Sequence, residues 1–235
     1  MVFRYAPGRG QEHAKALLAD YRGIVQCDGY AAYKALAGDM TLAFCWAHVR
    51  RGFFDLAKGG AAPIAAEVLQ RIAALYAIEA EIRGRPAEER LAVRQARSRP
   101  LVAELFTWLD AQLARLPRSS PTAEAIRYAL NHRKGLEQFL DDGRIEVDNN
   151  TVERAIRPIC LSRKNALFAS GDDGGARWAD IASLVETCKL NGVDPQRYFT
   201  DLLTRLVSGW PNSRIDELMP WCWAKSDDRP SSAAA

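Results

Sequence analysis

Gly23-Ile-Val-Gln-Cys-Asp-Gly29 is a short apolar run that ends in a carboxylate and a glycine, the pattern of a strand leaving a sheet. Thr41–Trp46 repeats the strand pattern, and the stretch that follows, Ala47–Lys58, reads as a helix stopped by Gly59-Gly60. Upstream, Met1–Tyr5 is apolar and is closed by Ala6-Pro7-Gly8, while Gln11–Tyr21 places Ala14, Leu17, Leu18 and Tyr21 at helical spacing. Tyr30–Leu36 reads as a helical turn. Strands alternating with helices predict an α/β layer over residues 1–60.

Residues 61–141 change character. Leu69, Ile72, Leu75, Tyr76 and Ile82 recur with a helical period, as do Leu101, Leu105, Trp108 and Leu109, then Ile126, Leu130, Leu136 and Phe139. This predicts an all-helical insertion of three or four helices. Beyond it, Asn149 and Asn150 suit the start of a helix from Thr151 that Pro158 should bend or interrupt. Gly175–Leu190 and Pro195–Val207 read as two further helices, and 225–235 as a disordered tail. At about 150 residues per domain, 235 residues allow one large domain or a core with an insertion.

Composition excludes some classes. The longest apolar run, Ile72–Ile78, is far short of the ~20 residues that cross a bilayer. The five cysteines are odd in number and scattered, and no signal peptide precedes them, so they read as free thiols of the cytoplasm. A net charge of +3 does not by itself identify a nucleic-acid binder. A local cluster does more: Arg154, Arg157, Arg163 and Lys164 fall within Arg154–Phe168, which holds no acid. Such cations contact phosphates, and a nearby acid can hold a divalent metal.

Three constellations carry chemistry. Asp28, at a sheet's carboxyl edge, is either a ligand-binding carboxylate or the aspartate of an Asp-Gly turn. Asp148-Asn-Asn-Thr-Val-Glu153-Arg154 is either a capping box from Asn150 to Glu153 or part of an anionic and cationic site. Cys45-Trp-Ala-His48-Val-Arg-Arg51 has zinc-ligand spacing, but no second Cys/His pair completes four ligands, and core packing with an opening helix is the simpler reading. Neither a phosphate-binding glycine loop nor a G-x-S-x-G elbow occurs. The tryptophans Trp108, Trp178, Trp210, Trp221 and Trp223 are not interleaved with basic residues and read as packing residues.

Taken as a set, QCDGYAAY, CWAHVRRGF, DNNTVERAIRP, SRKNALFAS and TCKLNGVDPQRYFTDLL, in that order with a helical block between the second and third, resemble the insertion sequence 66 family of bacterial transposases. The resemblance extends from Tyr5 to Ala224. It implies a DDE transposase catalytic domain of ribonuclease-H-like fold, with core segments at 1–60 and 142–190, the insertion at 61–141 and a family-specific helical segment at 191–224. It places the second catalytic aspartate on Asp28 and the catalytic glutamate on Glu153, which with a first aspartate would hold two Mg²⁺ ions. The candidate DNA contacts are Asn150, Arg154, Arg157, Arg163, Lys164, His48 and Arg51.

One departure matters. The only acids before Asp28 are Glu12 and Asp20, both in the predicted helix Gln11–Tyr21, so neither substitutes for a strand-borne ligand. Met1–Tyr5 matches the family's third strand, so the core is expected to lack strands one and two together with the first acid. The resemblance then implies a fragment unable to cleave or join DNA alone, a partner for DNA and for itself or a full-length transposase. A non-catalytic DNA-binding or regulatory protein and an intact metal-dependent nuclease are the alternatives.

Overall fold

In the computed structural model the described residues are 1–8, 10–29, 33, 35, 38, 40–60, 62–162 and 170–227. The chain divides into two units, Gly10–Arg154 and a second made of Met1–Arg9 with Ala155–Ala235. In the first, helix α1 (Gln11–Leu18) precedes strands β1 (Gly23–Cys27) and β2 (Met40–Phe44). The strands pair in parallel, from Gly23 opposite Met40 to Cys27 opposite Phe44. Parallel neighbours need a crossover, so both strands point their C-terminal ends the same way. The helical turn expected at Tyr30–Leu36 falls largely outside the described residues.

Helix α2 (Trp46–Lys58) follows β2 directly. Trp46 closes no strand, contrary to its expected place; it opens this helix, its backbone N–H donating to the Val147 carbonyl at 3.1 Å. The helical block contains α3 (Pro63–Glu81), α4 (Ala87–Val93), a π-helical turn (Arg94–Ser98), α5 (Arg99–Leu113), α6 (Pro121–Asn131) and the short α7 (Arg133–Leu136). Pro63 and Pro121 sit in first turns, where no amide partner is lost, whereas Pro100 directly follows the π-helical turn within one continuous helical run. Ser120 caps α6 by accepting from the Ala123 amide at 3.1 Å.

The helical block shares one core with β2 and α2. Trp46 and Phe53 pack with Ile72, Leu105, Phe106 and Ile126, and the buried Trp46 indole donates to the Leu136 carbonyl at 2.9 Å. A second device is polar. Arg94 is fully buried and Glu79 is 7% exposed, and the guanidinium meets both carboxylate oxygens, at 2.8 and 2.6 Å. Its remaining amino group donates to the carbonyls of Phe139 at 3.1 Å and Ile145 at 2.8 Å. Arg90 adds a bidentate pair to Glu146, at 2.8 and 2.9 Å. Residues 139–148 thus form a strap fastened to the helices, and the strap leads into α8 (Asn150–Ser162).

Helix α8 passes through Pro158 without ending there, and its turn up to Arg154 belongs to the first unit. In the second unit, α9 (Asp172–Leu190) and α10 (Pro195–Val207) match the expected helices, α9 beginning three residues early. Asp194 caps α10 through the Arg197 amide at 2.8 Å. Tyr198 and Cys188 are buried with Trp223 of α11 (Pro220–Asp227), and the Tyr198 hydroxyl donates to the Leu218 carbonyl at 2.8 Å. Burial pushes that hydroxyl up to about 12. Residues 225–227, assigned from sequence to the tail, close α11; positions 228–235 lie outside the described residues.

The strand expected at Met1–Tyr5 does not form. A strand needs a laddered neighbour, and among the described residues the only ladder is that of β1 with β2. The segment is held by helix side chains instead: the Phe3 amide donates to Ser183 Oγ at 2.7 Å, and the Tyr5 hydroxyl to Asp172 at 2.7 Å.

Truncating Arg94 leaves the buried Glu79 carboxylate with only the longer contact to Arg90, at 3.8 Å, so Arg94→Ala is expected to destabilise the chain by about 3 kcal/mol in urea unfolding. The double variant Glu79→Met/Arg94→Met should lose much less. Equal losses would show that the pair is not coupled.

Candidate functional site

The parallel register places the site. Cys27 lies opposite Phe44, so the next residues, Asp28 and Cys45, leave the same end of adjacent strands. Asp28 is exposed, and Gly29 follows it with φ +81°, where a Cβ would also meet His132 Nε2 at 2.8 Å. The turn chemistry and the carboxylate are thus both present at this point. From α6, the Tyr128 hydroxyl donates to the Asp28 carbonyl at 3.2 Å. Burial, and then the Asp28 charge, push the Tyr128 hydroxyl up, which keeps it a neutral donor. Tyr33 is shifted the same way by burial, Cys27 and Asp28.

Cys45 is the N-cap residue of α2 and 2% exposed. Its sulfur accepts from the Asn149 amide at 3.5 Å, so the loop entering α8 is tied to the end of β2. Burial pushes the thiol up, and the backbone amides of Asn149, His48 and Ala47 oppose that shift. His48, in the first turn of α2, has Nε2 3.4 Å from Glu153 Oε1, in the first turn of α8. The ligating atoms of Cys45, His48 and Glu153 all lie within 4.8 Å of one another.

Glu153 therefore does not reach back in a capping box with Asn150. Asp148 takes the cap instead, accepting from the Asn150 amide at 3.0 Å and from its side-chain nitrogen at 2.7 Å. The Tyr76 hydroxyl donates to the same carboxylate at 2.9 Å, and burial together with Asp148 pushes the tyrosine far up. A cleft of about 360 Å³ beside this cap is lined by Arg50, Arg51, Phe54, Tyr76 and Asn150. A second, of about 400 Å³, mixes charges: Arg83, Arg90 and Arg154 line it with Glu79, Glu146 and Asp148, beside Tyr76, Asn150 and Thr151.

Of the sequence candidates, Asp28, His48, Arg51, Asn150, Glu153 and Arg154 stand in the first unit around these features. Arg157 is exposed on α8 in the second unit, and Arg163 and Lys164 lie outside the described residues. Arg50, Tyr76 and Tyr128 were not singled out from sequence. Arg50 adjoins Arg51 and was open to notice; Tyr76 and Tyr128 are spaced like core residues, and their hydroxyl partners come from distant segments.

Residues 1–177 match the model of the transposase IS66 family, and 183–221 match the IS66 C-terminal element. The chain belongs to the IS66 transposase family. Among curated proteins this IS66 chain is 46% identical over 230 residues to the uncharacterized protein y4qI of Sinorhizobium fredii (strain NBRC 101917 / NGR234), covering 94% of the chain and 43% of that protein. It is 41% identical over 228 residues to the uncharacterized protein y4jD of the same organism, covering 93% of the chain and 45% of that protein. The IS66 chain thus spans less than half the length of these relatives. No solved structure matches it.

Asp148→Ala removes the cap of α8 and strands the Tyr76 hydroxyl. A loss of about 2 kcal/mol in urea unfolding is expected, with Tyr76→Phe/Asp148→Ala adding little to it. A neutral Asp148→Ala would contradict the cap.

Proposed function

We propose that this chain is the part of a DDE-type transposase core that carries the second aspartate and the glutamate, and that it acts on DNA. The observation that carries the reading is convergence: Asp28 leaves β1 beside Cys45, whose sulfur lies within 4.8 Å of a ligating atom of Glu153. A parallel strand pair, a carboxylate just past the first strand and a glutamate helix after a helical block follow the order expected of an interrupted ribonuclease-H-like core. Those features support that fold for the full core.

The donor set fits a hard divalent cation in part. Asp28 and Glu153 offer carboxylate oxygens that reach solvent, the ligand type Mg²⁺ prefers. When bound, a pair of such ions supplies Lewis acidity that activates a water or a DNA 3′-hydroxyl and offsets charge on the leaving oxygen. The protein's own work is positional. Asp148 and the strap hold the first turn of α8, Tyr128 holds the Asp28 turn, and His48 faces the Glu153 carboxylate. Arg50, Arg51 and Arg154 line the clefts beside them and suit phosphate oxygens, with Asn150 as a neutral donor. No described helix is long and apolar enough to cross a membrane.

A regulatory, non-cleaving role has one observation in its favour. Among the described residues the group of ligating side chains that forms around Glu153 contains Cys45 and His48 and no second carboxylate. The two readings share DNA binding and differ in turnover. The purified chain with Mg²⁺ and linear DNA is expected to bind with affinity that falls steeply with salt and to give no strand transfer alone. Arg51→Ala and Arg154→Ala should each reduce the log–log salt slope by about 0.9. Binding unaffected by salt and by both variants would overturn the DNA reading, whereas nicking lost in Asp28→Ala and Glu153→Ala would overturn the expected inactivity.

A further inference from the structure

We propose that Cys45, His48 and Glu153 form a three-ligand site for a borderline transition cation of the zinc class, competing through Glu153 with any oxygen-ligated cation at Asp28 and Glu153. The spacing is the first argument. His48 Nε2 and Glu153 Oε1 are 3.4 Å apart, longer than the roughly 2.7–3.2 Å of a good N–H···O bond. It equals the edge of a tetrahedron whose centre is about 2.0–2.1 Å from nitrogen and oxygen, near 3.4 Å. The Cys45 sulfur completes the triangle within 4.8 Å, and a small side-chain adjustment brings it to the Zn–S distance of about 2.3 Å.

The chemistry of the set is the second argument. A thiolate and an imidazole favour zinc or cobalt over magnesium, which selects oxygen. The sulfur is already held in place by the Asn149 amide at 3.5 Å, at the N-terminus of α2. Unsatisfied groups are the third. His48 Nδ1 and Asn149 Oδ1 are both buried without a hydrogen-bond partner. A cation on Nε2 leaves the ring proton on Nδ1, and the Asn149 oxygen is available to that N–H or to a metal-bound water. His48 and Glu153 side chains are 26% and 35% exposed, so the fourth position faces solvent, as in open rather than structural zinc sites. Binding releases the Cys45 thiol proton to solvent and leaves three protein ligands on the ion.

Because Glu153 is shared, zinc at this site withdraws a carboxylate from the hard-cation position and opposes it. The inference does not rest on the DNA reading, since ligation is observable without DNA. Chelator-stripped chain titrated with Co²⁺ is expected to take one equivalent with a thiolate-to-cobalt charge-transfer band and tetrahedral visible bands, both bleached by one equivalent of Zn²⁺. Cys45→Ser should abolish the charge-transfer band, and His48→Gln and Glu153→Gln should weaken Co²⁺ binding. Cys160→Ser, on the exposed part of α8, should leave the band intact. Circular dichroism establishes that each variant is folded; should Cys45→Ser unfold, His48→Gln and Glu153→Gln decide. No charge-transfer band in the folded wild-type chain, or undiminished Co²⁺ affinity in both of those variants, overturns the proposal and leaves His48 and Glu153 as an ion pair only.

Discussion

A guanidinium with no access to water governs the path of the chain into the site. Arg94 spends its donors on Glu79 and on the carbonyls of Phe139 and Ile145, so a strap that strayed would leave a buried charge unsatisfied. Such a pair contributes little net stability compared with apolar packing, yet losing one partner is severe, and that asymmetry makes it a geometric constraint. Arginine suits the task because its planar fork serves a carboxylate and two carbonyls at once. Arg94 stands in a π-helical turn, where the helix departs from regular α geometry while the side chain stays in the core.

What the strap delivers is a pair of helix starts at the end of a parallel strand pair. The Val147 carbonyl accepts from the Trp46 amide, Asp148 accepts from Tyr76, and the Asn149 amide donates to the Cys45 sulfur, three successive residues fastened to three separate partners. The first turns of α2 and α8 then face one another through His48 and Glu153. Helix N-termini carry partial positive charge and unpaired amides, one of which, that of Asn149, already holds the Cys45 sulfur. Arg50 and Arg51 line the cleft beside the α8 cap, so anion-holding and cation-holding surfaces adjoin.

Much of this was legible from local pattern. The runs at 23–28 and 41–46 are β1 and β2 within two residues, and the periodic apolar positions of 61–141 are helices. Asp28 could be placed at a strand end because an apolar run stops there. Met1–Tyr5 could not be read correctly, because five apolar-rich residues pair as a strand or dock on a helix depending on what lies beside them. For Glu153 the local spacing suggested a cap with Asn150; its meeting with His48 depends on the strap. Counting cysteines and histidines argued against a metal at Cys45 and His48, since the carboxylate that joins them comes from the far side of the helical block.

The account therefore stands on the strap's control of α8. Hydrogen–deuterium exchange on wild type and Arg94→Ala, in conditions where both are folded, tests it directly. Faster exchange is expected at Ile145–Arg154, including the Asn149 amide on Cys45 and the first turn of α8, with no change across Pro195–Val207. Unchanged protection at Asn149–Glu153 in a folded Arg94→Ala chain would contradict it.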